Sequence, residues 1–114
     1  MNKYTELSDF EINKKVAEKL GIRFTPRNGV LILSATKLFA PCNNPSDAMP
    51  IIIDNKIGLS PIYHSNKWTA DSLDYDFISV NKNPYRAAME LFLLMKDAEN
   101  NNKTSSSNDD AGIN

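Results

Sequence analysis

From residue 83 to residue 98 the chain reads as one helix whose apolar stripe has to be covered by the rest of the protein. Asn83-Pro84 supplies its entry. The Asn side chain accepts from free amides of the first turn, and proline at the first helical position gives up an N–H that has no helical partner there. Ala87, Ala88, Leu91, Phe92, Leu94 and Met95 follow at helical spacing, with Lys96 near the end. After Ala98 the composition turns to Asn, Ser, Thr and Asp, with almost nothing to bury. The spacing therefore predicts one globular domain over residues 1–98 and an unstructured polar tail over 99–114.

A second helix is predicted near the start. Ser8 and Glu11 have the spacing of a capping box, in which the Ser side chain bonds the Glu11 amide and the Glu side chain reaches back. Phe10, Val16, Ala17 and Leu20 share a face, with Ile12 beside them, and Gly21 ends the helix by entering the left-handed region. Between these helices lie strand signals. Arg27-Asn28-Gly29 is a turn signal before Val30 to Ser34, an apolar run too short for a helix. Lys67 to Ala70 and Tyr75 to Val80 read as a hairpin across Asp71 to Asp74, with Tyr75, Phe77 and Ser79 on one face and Ile78 and Val80 on the other.

The segment Pro41-Cys42-Asn43-Asn44-Pro45-Ser46-Asp47-Ala48-Met49-Pro50-Ile51-Ile52-Ile53-Asp54-Asn55 admits two readings. Three β-branched isoleucines favour a strand. Asn44, Ser46 or Asp47 as a cap, and Pro50 within or near a first turn, favour a short helix from about Ser46 to Asn55. Its polar entry is a rigidly held loop, since Asn, Ser and Asp bond local backbone and proline fixes φ.

What the residues exclude narrows the function. A net charge of −1 lacks the cationic excess of a general nucleic-acid coat. One cysteine, Cys42, rules out an intrachain disulfide and fits a reducing cytosol. One histidine, His64, excludes a multi-histidine metal site within one chain. Asp71, Asp74 and Asp76 follow no calcium-loop pattern, and no glycine run cradles phosphate. No cofactor or metal is implied. The longest apolar run falls short of a membrane span.

Three functional readings survive. Asn43, Asn44, Ser46 and Asp47, with Arg86 or Arg27 to offset the Asp47 charge, would offer donors and acceptors at a helix entry to a ligand or partner, against the plainer reading that they satisfy their own backbone. Trp68, Tyr75 and Phe77 on a sheet would form a stacking platform, and Lys14, Lys15, Lys19, Arg23 and Arg27 a basic face for nucleic acid, against the plainer reading that the aromatics fill a small core. Cys42, His64 and Asp47 would make a small enzyme if folding brought them into one cleft.

Several blocks in order carry a family resemblance: Leu7-Ser8-Asp9-Phe10-Glu11-Ile12-Asn13, Cys42-Asn43-Asn44-Pro45-Ser46-Asp47-Ala48 with Pro50-Ile51-Ile52, Trp68-Thr69-Ala70, and Asn83-Pro84 with Arg86-Ala87-Ala88-Met89. Over roughly residues 4 to 97 the chain resembles the NinX-like proteins of lambdoid phages and prophages. The family pattern of Pro-Ile-Ile followed by charged residues tilts the middle segment towards helix. The resemblance implies a phage or prophage origin, the cytoplasm of a bacterial host, an accessory rather than structural product, and no catalytic residue to carry over. The expected fold is α+β, a small antiparallel sheet of about three strands packed on an N-terminal and a C-terminal helix, with a short middle helix. The expected function is a non-enzymatic interaction module that binds a host or phage protein, or a small ligand in counter-defence, at Asn43, Asn44, Ser46, Asp47, Trp68 and Arg86. Oligomeric state is not legible.

Overall fold

A computed structural model describes residues 2–100 with their side chains. Of the expected polar tail over 99–114, the backbone continues as helix to Ile113, and the side chains beyond Asn100 lie outside the described residues. Three helices and two antiparallel three-stranded sheets make up the fold. In chain order these are α1 (Asp9–Leu20), β1 (Thr25–Arg27), β2 (Val30–Ser34), β3 (Lys37–Phe39), α2 (Pro45–Asp54), β4 (Gly58–Pro61), β5 (Trp68–Asp71), β6 (Ile78–Asn81) and α3 (Pro84–Ile113). Each sheet is a meander, β1-β2-β3 and β4-β5-β6.

The local signals act as their chemistry requires. Ser8 Oγ accepts from the Glu11 amide at 3.1 Å while Glu11 Oε1 accepts from the Ser8 amide at 2.9 Å, the complete capping box. Gly21 closes α1 at φ 72°, a conformation costly for any residue with a Cβ. Leu20, expected on the buried stripe, is 41% exposed, because the stripe ends one turn before the cap. Asn13, by contrast, is buried, and its Oδ1 accepts from the Cys42 amide at 2.9 Å. Asn28 and Gly29 both have positive φ, as a two-residue hairpin loop demands, and they set Arg27 opposite Val30.

The ambiguous middle segment is a helix. Asn44 Oδ1 accepts from the Ser46 amide at 3.0 Å and Pro45 occupies the first position. At the other end Lys56 turns left-handed at φ 52° and the Ile57 amide returns to the Ile52 carbonyl, a Schellman close between two buried isoleucines. Two terminal motifs outweigh the β preference of Ile51 to Ile53. Pro50 is the sixth helical residue, however, not a first-turn one, so the helix lacks the N–H that would bond the Ser46 carbonyl.

In the second sheet the Tyr75 end of the expected strand is a turn. Tyr75 has φ 62° and is exposed, because Ser72 and Asp74 bond into the loop: Ser72 Oγ donates to Asp74 Oδ1, and the Asp76 amide donates to the same oxygen. From Phe77 on, the expected alternation holds, with Ser79 buried and Ile78 and Val80 facing out.

α3 is the centre of the core. It packs on α1, on α2 and against β5 and β6. Ala87, Ala88, Met89, Leu91, Phe92 and Leu93 are all buried, so two turns are covered on every side rather than along one stripe. Near Lys96 the helix is tied to the N-terminal segment: Asp97 pairs with Lys3 at 3.0 Å and Lys19 at 3.7 Å, and the Tyr4 hydroxyl donates to Asp97 Oδ2. Burial pushes the Asp97 carboxyl up, but the Tyr4 hydroxyl and the two ammonium groups outweigh it and hold it below the ordinary range. A carboxyl depressed by folding contributes stability above its unfolded pKa and loses it as pH falls through the folded value. Replacing Asp97 by Asn should therefore flatten the acid limb of a stability–pH curve below the ordinary carboxylate range and leave neutral pH less stable, as read by denaturation at stepped pH.

Candidate functional site

The entries of all three helices meet at one polar cluster. Asp9 opens α1, Asn43 and Asn44 lead into α2, and Asn83 leads into α3. Arg86, in the first turn of α3, lies at the centre and is 6% exposed. Its Nε donates to Glu90 Oε2 at 2.6 Å and its Nη1 to Asp9 Oδ1 at 2.7 Å. Its Nη2 donates to the carbonyls of Tyr4 at 3.0 Å and Leu7 at 2.7 Å, fastening the N-terminal segment onto α3. Burial works against the guanidinium charge, but the bonds to Asp9 and Glu90 more than offset it and raise the Arg86 pKa. Glu90 is 1% exposed, and its second oxygen accepts from Ser79 Oγ and Asn2 Nδ2, both at 3.1 Å.

Asn83 does two tasks. Its Oδ1 accepts from the Tyr85 amide at 2.9 Å and so caps α3, while its Nδ2 donates to the Cys42 carbonyl at 2.6 Å. Cys42 is thereby held on both sides, by Asn13 at its amide and by Asn83 at its carbonyl.

Of the six residues expected to form a binding surface, Asn43 and Arg86 come together through Asp9, where Asn43 Nδ2 donates to Oδ2 at 3.1 Å. Asn44 and Ser46 bond each other across the first turn of α2. Asp47 Oδ2 turns back to accept from the Ala40 amide at 2.9 Å. Trp68 is half-buried on β5, opposite Pro61 and Asn81, and among the described residues no hydrogen bond, ion pair or ring contact joins it to the other five. Sequence reasoning missed Asp9, Asn13 and Glu90. Only Glu90 carries a readable signal, an acid four residues after Arg86 and flanked by Met89 and Leu91.

Chemically, the cluster is saturated. No buried side-chain nitrogen or oxygen among the described residues lacks a hydrogen-bond partner. Nor do Cys42, His64 and Asp47 bond one another: Cys42 is fully buried, His64 is exposed at φ 59° on the β4–β5 turn, and Asp47 is held by Ala40. Burial, with Asp9 adding to it, pushes the Cys42 thiol up to about 12. The native protein should leave a thiol reagent such as DTNB unreacted at pH 8, with full labelling only in denaturant. Labelling of the folded protein at the rate of a free thiol would contradict this environment.

Among the described residues no group of three or more His, Cys, Asp or Glu is placed to hold a metal ion, and no helix is long and apolar enough to cross a membrane. Surface concavities among the described residues include the following two. One, of about 810 Å³, runs beside β6; the other, of about 430 Å³, lies among Lys3, Tyr4, Lys15, Glu18, Lys19, Leu93 and Asp97. The family model for bacteriophage P22 NinX matches residues 3–96, which takes in all three helix entries, both sheets and the Arg86 cluster. The chain belongs to the NinX family. No curated protein and no solved structure matches it. In NinX terms, the Asn-Pro steps that carry the resemblance are the two helix entries that Asn83 and Cys42 fasten together.

Proposed function

We propose that this NinX-family protein is a non-enzymatic interaction module, made in the cytoplasm of a phage-infected host, that works by binding a phage or host protein. The observation that carries the reading is a division of labour among side chains. The polar groups able to do chemistry are spent on one another at the helix entries, while apolar groups stand in solvent. On the outer face of the first sheet Val30 is 40% exposed and Leu38 53%, with half-buried Ile32 between them in register with Leu38. Exposed apolar side chains gathered on one face suit a protein contact.

Nucleic acid is the less favoured partner, because Lys19 is shared with Asp97 and the acidic total exceeds the basic one. The test is affinity capture with the tagged full chain from phage-infected cells, comparing wild type with Leu38→Lys. A partner retained by the wild type and lost from Leu38→Lys supports the module. Equal retention by both, or none, removes it, and a gel shift that fades with salt would replace it with nucleic-acid binding.

A further inference from the structure

Each sheet has two free edges, and three of the four are blunted. In β1 the register and the two-residue loop turn Pro26 outward, so that edge lacks an N–H there. In β4 the Ile62–Lys67 bond sets the alternation, and it turns Leu59 and Pro61 outward, again placing a proline on the edge. β3 is three residues long beside a bulge, and the next outward amide, Ala40, is taken by Asp47. β6 has neither proline nor bulge, and only Asp76, in the turn before it, has its amide taken, by Asp74 Oδ1. The Ser72 amide donates to the Phe77 carbonyl at 3.1 Å, so along the β5–β6 ladder Phe77, Ser79 and Asn81 face β5 while Ile78 and Val80 point their N–H and C=O groups outward. Among the described residues neither outward amide has a partner. The 810 Å³ groove lies beside this edge and is lined by Thr5 and Leu94 as well as by β6. Unprotected edges of β-branched residues invite another strand.

We propose that the strand is β6 of a second copy, added antiparallel about a two-fold axis at Ser79 so that two sheets become one of six strands. The sequence around Ser79 is self-complementary in that register. Ile78 of one copy falls opposite Val80 of the other, and both are outward-pointing residues, so both pairs exchange main-chain hydrogen bonds. Paired residues share a face, so Ile78, 58% exposed, and Val80, 43% exposed, cover one another's twins on the outer side of the joined sheet. Carried past the ends of β6, the same register brings Asp76, in the turn before it, towards Lys82 of the other copy, and both are exposed. A parallel strand or a register shifted by two residues breaks this charge match. The proposal uses the second sheet alone and does not depend on the partner contact placed on the first.

Sedimentation equilibrium of the full chain tests it. A single-strand interface is small, so the expected dimer is weak, with a Kd on the order of 10–100 µM. Val80→Pro removes an outward N–H that bonds nothing within the monomer, and should raise the Kd by about a hundredfold or more while far-UV circular dichroism is unchanged. Ile78→Lys, altering a side chain that faces solvent, should act in the same direction and serves if the proline disturbs folding. The register is read by charge. Asp76→Lys and Lys82→Asp each set like charges together and should weaken self-association roughly tenfold, whereas a mixture of the two should pair at wild-type strength or better. A wild-type chain that stays monomeric at about 500 µM, well above that range, would overturn the proposal. So would a dimer indifferent to both Val80→Pro and Ile78→Lys, or a mixture no tighter than its components.

Discussion

Arg86→Met is expected to cost about 3–5 kcal/mol, the usual penalty for removing one partner of a buried ion pair, and to lower the urea midpoint by roughly 2 M. Methionine fills much of the same volume, so the loss is electrostatic rather than a cavity. It leaves Glu90, 1% exposed, as an uncompensated buried charge. It also strips the carbonyls of Tyr4 and Leu7 of their donor, releasing the N-terminal segment from α3. Arg86→Lys should recover little, because one ammonium cannot bond Glu90, Asp9 and the two carbonyls from a single position. Adding Glu90→Leu to Arg86→Met tests the division of the cost. If the stranded carboxylate dominates, the double variant is more stable than Arg86→Met alone. If the carbonyls dominate, the two are equal. Additive losses would show that Arg86 and Glu90 do not act as a pair. A domain of this size has only about 5–15 kcal/mol to lose, so the single variant sits near the edge of folding at 37 °C.

The Arg86 cluster also marks where reading the chain stops. Each helix entry was legible on its own, because caps are local: Ser8 with Glu11, Asn44 with Pro45, and Asn83 with Pro84 lie within four residues of what they bond. That the three entries meet is a tertiary fact, since Arg86 reaches Asp9 across 77 positions and Asn83 reaches Cys42 across 41. The polar residues around Asn43 therefore looked like an open binding surface when several were already bonded to distant partners. Strands divided in the same way. β2 and β5 carry apolar or aromatic residues that announce them, but β1 and β4 contain Pro26 and Pro61, which read as loop and turn out to sit on edges where proline loses no bond within the sheet. Tyr75 failed for the opposite reason. Its β propensity was overridden by the Ser72 and Asp74 side chains, which close the turn before the strand begins.

Asn83→Ala is the second large effect expected, at about 2–3 kcal/mol, made of a lost helix cap and a buried carbonyl left without its donor. The two parts can be separated because they use different atoms of one side chain. Asn83→Asp keeps an oxygen to accept from the Tyr85 amide and adds a charge favoured at a helix N-terminus, but it replaces the Nδ2 donor by an acceptor facing the Cys42 carbonyl. Asn83→Ser keeps a short cap and does not span the gap to Cys42. If capping accounts for the whole effect, Asp and Ser should both restore wild-type stability. If the Cys42 bond matters, Asp should be no better than Ala, because two oxygens then oppose each other, and Ser should fall between. The thiol supplies an independent readout. Loosening the Asn83 bond frees the segment that buries Cys42, so Asn83→Asp should admit a thiol reagent in native buffer faster than a cap-only lesion such as Asn44→Ala when the two are compared at equal stability. Equal labelling of the two variants would show that Asn83 caps α3 without fastening the entry of α2 to it.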